Sequence, residues 1–121
     1  MPGLILAAPT SSAGKTTITL GILRALMNAG VDVRSAKSGP DYIDPQFHAA
    51  ATGKPCFNLD AWAMTPERIK SIAAGPTDLI IEGAMGLFDG APPDGKGSTA
   101  DLAAILGVPV VLIVDAKAMS Q

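Results

Sequence analysis

The junction at residues 3–17 limits most strongly what this chain can fold into. An unbroken apolar run, Gly3-Leu4-Ile5-Leu6-Ala7-Ala8, gives way to Pro9-Thr10-Ser11-Ser12-Ala13-Gly14-Lys15-Thr16-Thr17, and a helical pattern follows. A run that is continuously apolar, rather than alternating, predicts a strand buried on both faces. Strand, small-residue loop, Gly-Lys-Thr and helix together form the layout of a phosphate-binding loop. Small side chains let backbone N–H groups close around a phosphate, and the helix N-terminus adds its dipole. Ser11, Ser12, Ala13, Gly14, Lys15, Thr16 and Thr17 would then cradle a nucleotide. Lys15 would reach its β- and γ-phosphates, and the Thr16 hydroxyl would hold Mg²⁺. The match covers only the second half of G-x-x-x-x-G-K-[ST], because Pro9 stands where the first glycine would be. For the Gly-Lys-Thr triplet alone, the competing reading is a capped helix after an ordinary turn.

The rest of the chain repeats the alternation. Residues 16–29 predict a helix with Ile22, Leu23, Leu26 and Met27 on one face and Arg24 and Asn28 on the other, ended by Gly30. Further strands are expected over 31–37, 78–82 and 108–115. Helices are expected near 46–51, from Thr65-Pro66 to about residue 74, and over 100–106 with Ser98 or Thr99 as cap and Asp101 near its N-terminus. The β-α-β-α-β-α-β order predicts an α/β fold: a parallel sheet flanked by helices, of the P-loop nucleotide-binding kind. The Gly-, Pro- and Asp-rich stretch 83–97 is long for a plain connection, and such loops are often functional.

Ligands of open parallel sheets bind beyond the carboxyl ends of the strands. Lys37 ends the second expected strand and leads into Asp41 and Asp44; Glu82 ends the third; Asp115 ends the last. Mg²⁺ takes oxygen ligands, usually one or two carboxylates plus phosphate and water, so Glu82 beside a phosphate loop reads as a metal-binding acid. Asp41 and Asp44 also suit ordinary turns. His48, the single histidine, is expected on an exposed helix face, and Phe57 and Trp62 are expected to pack against other side chains rather than stack on a base. Cys56 reads as a small buried or half-buried side chain rather than a nucleophile. No Cys/His cluster has metal-ligand spacing, and no Gly-x-Gly-x-x-Gly follows the first strand, which argues against a nicotinamide cofactor.

The 121 residues suffice for one domain with a real core, and a hydrophobic content of 48% excludes a disordered chain. A net charge of -2 offers no general attraction to nucleic acid or an anionic membrane. One cysteine allows no internal disulfide and suits a reducing compartment. The start lacks the basic residues of a signal peptide, and the longest apolar run, 102–114, is too short for a bilayer and holds Pro109. A cytoplasmic protein is expected.

Gly39-Pro40-Asp41-Tyr42-Ile43-Asp44-Pro45 and Glu82-Gly83-Ala84-Met85-Gly86-Leu87-Phe88-Asp89-Gly90 carry a more specific signal. With Asn58-Leu59-Asp60 and Gly97-Ser98-Thr99-Ala100, they resemble the N-terminal part of the cobyrinic acid (or hydrogenobyrinic acid) a,c-diamide synthases. That family is in turn similar to the dethiobiotin synthetases and carries its own Ala-Pro form of the phosphate loop. The resemblance covers nearly the whole chain. It implies an enzyme that uses ATP and Mg²⁺ to activate the a- and c-acetate carboxylates of a corrinoid as acyl phosphates, which glutamine-derived ammonia converts to amides. It implies catalytic roles for Lys15, Lys37, Asp41, Asp44 and Glu82. Lys15 and Lys37 would offset phosphoryl charge; Thr16, Asp44 and Glu82 would hold Mg²⁺; Asp41 would shape the site or orient the substrate carboxylate. Members of the family are considerably longer and carry a glutaminase domain with a catalytic cysteine, whose place Cys56 does not match. Residues 1–121 are therefore expected to be a truncated ATP-binding amide-ligase domain, inactive alone in the full reaction. A sheet edge at 108–115 is expected to be exposed and prone to self-association. A related ligase such as dethiobiotin synthetase, or a non-catalytic nucleotide switch or partitioning ATPase, are the alternatives.

Overall fold

The computed structural model describes residues 3–11 and 13–117; Ser12 of the expected phosphate cradle lies outside them. The described residues form β1 (Gly3–Ala7), α1 (Lys15–Asn28), β2 (Val33–Ser38), α2 (Asp44–Thr52), β3 (Phe57–Leu59), α3 (Pro66–Ala73), β4 (Asp78–Glu82), α4 (Thr99–Leu106) and β5 (Val110–Leu112). The strands make one parallel sheet of order β3-β2-β4-β1-β5. The expected α/β architecture is borne out.

Side chains of a strand alternate between faces, and this alternation sorts the interior into two halves. Leu6, Val33 and Ile80 meet Leu23 of α1, with Ala51 of α2 packed against them. Ile5, Ala7, Ala36, Leu79 and Ile81 meet Ile69 of α3 and Leu102 of α4 on the other side. Continuous apolar runs are needed because both faces are covered. The same period of two sets the positions that follow. Lys37 has the parity of Val33, and Glu82 that of Ile80, so both point to the α1/α2 face. The register pairs Lys37 with Glu82 directly. A slip of one residue in either strand would turn its charge to the opposite face.

Helix ends follow local chemistry. Thr65 caps α3 by accepting from the Arg68 N–H, with Pro66 in the first turn. Ser98, rather than Thr99, caps α4, and Asp101 completes a reciprocal capping box. α1 closes through Gly30, as expected: its N–H donates to the Met27 carbonyl, and its φ of 82° turns the chain so that the Val31 N–H reaches the Leu26 carbonyl.

Three features depart from expectation. β3 was not foreseen, because a three-residue strand with Asn58 at its centre and only Leu59 buried carries no periodic signal. α2 begins at Asp44, about two residues before its expected start, with Pro45 in the first turn where its missing N–H costs nothing. β5 is shorter than residues 108–115, because among the described residues it pairs with β1 alone; Val111 and Leu112 lie about half exposed at that edge. Among the described residues no helix is long and apolar enough to cross a membrane.

Candidate functional site

The chain leaves β1 through buried Ala8 and a surface-exposed turn, and enters α1 through Gly14, whose φ of 89° is left-handed. Among the described residues no side chain caps α1, and its first turn holds no acid. By contrast α2, α3 and α4 each place an acid in the first turn. The first N–H groups of α1 and its dipole are therefore left for an anion from outside. Ser11, Ala13 and Gly14 line this turn, and Thr17 is exposed in the first turn of α1. The loop after β4 folds over it: the Leu87 N–H donates to the Ala8 carbonyl at 2.8 Å, and Lys15 Nζ donates to the Met85 carbonyl at 3.0 Å. The approach is so close that a Cβ on Gly86 would lie 2.5 Å from the Pro9 oxygen.

Beside this turn sits a buried charge cluster. Lys37 Nζ lies 2.7 Å from Glu82 Oε2, 2.9 Å from Asp44 Oδ2 and 3.7 Å from Asp41 Oδ2, and donates to the Gly83 carbonyl at 3.2 Å. The Thr16 hydroxyl donates to Glu82 Oε2 at 2.8 Å, with Asp44 Oδ2 3.4 Å away. Lys37 is 5% exposed and Glu82 0%. Asp41 makes the turn expected of it, its Oδ1 accepting the N–H groups of Ile43 and Asp44 and so leading the chain into α2, while its Oδ2 faces Lys37. Asn58 of β3 donates to the Asp41 carbonyl at 3.0 Å and holds this loop in place. Lys15, Thr16, Lys37, Asp41, Asp44 and Glu82 thus gather at one rim. Asp115 does not join them; it is exposed beyond β5 and accepts the Lys117 N–H.

Burial works against every charge here, and the cluster answers it with hydrogen bonds. Burial would raise the Glu82 pKa, but hydrogen bonds from His48 and Lys37 bring it down to about 2. Burial would lower that of Lys37, yet its bonds to Glu82 and Asp44 hold it above the usual lysine value. Lys15 has no carboxylate in such contact, and burial, helped by the nearby Lys37 charge, lowers its pKa. The Asp41 carboxyl is held below its ordinary value by the backbone N–H groups of Ile43 and Asp44, against its partial burial.

The donor set fits a hard divalent cation. Thr16 Oγ1, Asp44 Oδ2 and Glu82 Oε2 converge, and the Lys37 ammonium already holds positive charge between the two carboxylates. Among the described residues, no group of three or more His, Cys, Asp or Glu side chains could hold a metal. An ion here would therefore need phosphate and water to complete its shell, as Mg²⁺ commonly does.

A cleft of about 660 Å³ opens from Lys37 between the loop at 38–41 and the loop at 84–97, with Trp62, Met85, Pro92 and Lys96 among its walls. Trp62 and Phe57, expected to pack, are nonetheless 61% and 51% exposed. Trp62 follows the Asp60 turn, whose Oδ1 accepts the N–H groups of Trp62 and Ala63. Its Cβ abuts Gly97, where an added Cβ would lie 2.5 Å away.

His48 overturns the expectation of an exposed face. It is 0% exposed, with Nε2 2.7 Å from Glu82 Oε1 and Nδ1 3.4 Å from Sγ of the half-buried Cys56. Burial opposes its protonation, but the hydrogen bonds to Cys56 and Glu82 raise its pKa to about 9. With α2 beginning at Asp44, residues 44 and 48 fall one turn apart on the face turned to the sheet. That four-residue spacing was the available signal.

No family model matches the chain. Curated relatives do match it along its whole length. Hydrogenobyrinate a,c-diamide synthase of a Sinorhizobium species is 57% identical over 125 residues, and that of Rhizobium meliloti strain 1021 is 56% identical over 125 residues. The enzyme of the same name from Brucella anthropi is 55% identical over 126 residues. The chain spans about 29% of the length of these relatives. The resemblance read from the motifs is borne out by relatives that carry the hydrogenobyrinate form of the name.

Proposed function

We propose that this chain forms the ATP-binding, amide-forming part of a hydrogenobyrinate a,c-diamide synthase of cobalamin biosynthesis. One observation carries the reading: Lys15, Thr16, Lys37, Asp44 and Glu82, drawn from β2, β4, α1 and α2, meet beside an uncapped helix N-terminus at the mouth of a largely apolar cleft. The names of the relatives favour this over a dethiobiotin synthetase or a nucleotide switch. The α1 N-terminus and Lys15 would hold the ATP phosphates, and Thr16, Asp44 and Glu82 would hold Mg²⁺. The bound ion would supply positive charge to the phosphate oxygens as the phosphoryl group moves. The acid would lie in the cleft with an acetate carboxylate near Lys37. Its oxygen would take the γ-phosphoryl group and release ADP, giving an acyl phosphate. Ammonia, drawn from glutamine by a glutaminase outside these residues, would attack the acyl carbon and displace phosphate. Lys37 and Lys15 would offset the charge that gathers on the phosphoryl oxygens, and Asp41 would steady the loop that forms one cleft wall. The near-absence of solvent around Lys37 and Glu82 would strengthen those interactions.

The test uses the intact protein with ATP, Mg²⁺, glutamine and hydrogenobyrinate. Phosphate release that depends on the corrinoid, with mass spectrometry showing two carboxylates converted to amides, is the expected result. Phosphate release indifferent to the corrinoid, or dependence on a diamino acid and CO₂, would overturn the reading.

A further inference from the structure

His48 has no part in the scheme above, yet it is fully enclosed and touches the most buried acid of the site. We propose that His48 is a positioning residue: by holding Glu82 Oε1 it orients the carboxylate so that Oε2 faces Thr16, Asp44 and Lys37, and so sets the affinity of this site for a divalent cation. The proposal rests on the reading of Glu82 as a cation ligand.

The geometry supports it in three ways. First, the partners of Glu82 divide cleanly: Thr16 and Lys37 both sit on Oε2, and His48 is on Oε1. The terminal torsion of a glutamate is soft, so two partners on one oxygen leave the plane of the carboxylate free to turn, and a third on the other oxygen fixes it. Second, the imidazole is itself held at both edges, by Glu82 at 2.7 Å and Cys56 at 3.4 Å. A ring held so cannot swing away when the ligands at Oε2 exchange. Third, Asp44 and His48 lie one turn apart on α2. One rigid element therefore delivers both a carboxylate that faces the cation position and the group that orients the other carboxylate. Outer partners of metal ligands commonly change metal affinity or activity by about 10–100-fold when removed.

The experiment uses the intact protein with Mn²⁺ as probe in the presence of ATP, reading bound ion by electron paramagnetic resonance, with thermal unfolding as a parallel measure of the fold. His48→Leu keeps bulk but no donor; His48→Gln places an amide nitrogen near the position of Nε2; Glu82→Gln tests the ligand itself. The Leu variant should need about tenfold more Mn²⁺ or higher for half-saturation, the Gln variant should recover most of that loss, and KM for the acid should stay unchanged in both. If the Leu variant does not fold, His48→Asn takes its place, since its amide reaches toward Cys56 but falls short of Glu82; it too should bind Mn²⁺ weakly. Parent-like Mn²⁺ binding in His48→Leu or His48→Asn, alongside loss in Glu82→Gln, overturns the role of His48 and leaves that of Glu82 standing. A lowered melting temperature with unchanged Mn²⁺ binding does the same, because core filling alone would produce it. Parent-like binding in Glu82→Gln overturns the reading of Glu82 and the proposal with it.

Discussion

Lys37 and Glu82 are each expensive to bury alone, and their value lies in the company they keep. An ionised side chain removed from water is tolerated only when paired and hydrogen-bonded. Here each oxygen of Glu82 has a partner, and the Lys37 ammonium meets two carboxylates and a carbonyl. The pKa shifts give this a pH signature. The Glu82 pKa is depressed from 4.5 to about 2, so its contribution to stability is present above 4.5 and is lost as pH falls toward 2. The His48 pKa is raised from 6.5 to about 9, so its contribution is full below 6.5 and is lost as pH rises through 9. Stability from this pair should therefore be greatest between about pH 4.5 and 6.5 and decline on either side. Urea-unfolding midpoints across pH 3–10 check this, and His48→Gln should flatten the alkaline arm. Parallel profiles for parent and variant would count against the pair. At this scale Lys15, Thr16, Lys37 and Glu82 were legible from their places at strand and helix ends. His48 was not, because one histidine on a short helix has no face until the helix start is known.

Loops and caps supply the finer geometry. The stretch 83–97 has no strand or helix, yet it is tied down at both ends: Leu87 and Lys15 bind it to the segment between β1 and α1, and the Ser98–Asp101 box anchors it to α4. Between those ties it forms one wall of the cleft, and Trp62 forms another. Gly97 lies between the two with a φ of 86° and its α-carbon against the Trp62 Cβ. Gly97→Ala should push Trp62 aside and strain the backbone, raising KM for the acid severalfold while leaving the Kd for ATP near the parent value. Steady-state kinetics with a nucleotide-binding titration would show it; equal losses for both ligands would mean that the cleft and the phosphate turn are not separable. The turn between β1 and α1, α3 with its Thr65-Pro66 start and α4 with its cap were readable because each depends on local chemistry. β3 was not, since its three residues owe their extended form to β2 beside them.

The whole molecule brings the rim together by strand order. β4 lies between β1 and β2, so the acid at the end of β4 is flanked by the turn between β1 and α1 on one side and Lys37 on the other. A ligand that engages all three should stabilise the folded state by mass action. In the intact protein, MgATP at about 100 times its Kd should add about 2.7 kcal/mol, read as a rise in melting temperature. Lys15→Ala should remove most of that rise, because Lys15 would contact the phosphates, while among the described residues its side chain gives up one bond to a carbonyl. An undiminished rise in that variant would place the nucleotide elsewhere.

From the order of residues alone came the alternation of strands and helices, the small-residue turn before α1, the strand-end charges and the family they resemble. Those depend on near neighbours: apolar period, caps and turn residues act over a few positions. The tertiary structure alone decided that β4 stands between β1 and β2, that Lys37 and Glu82 share a face and a register, that Trp62 is left open to solvent, and that His48 closes the far side of Glu82. Such facts depend on which distant segments pair, and a side chain's burial is settled only when its neighbours across the sheet arrive.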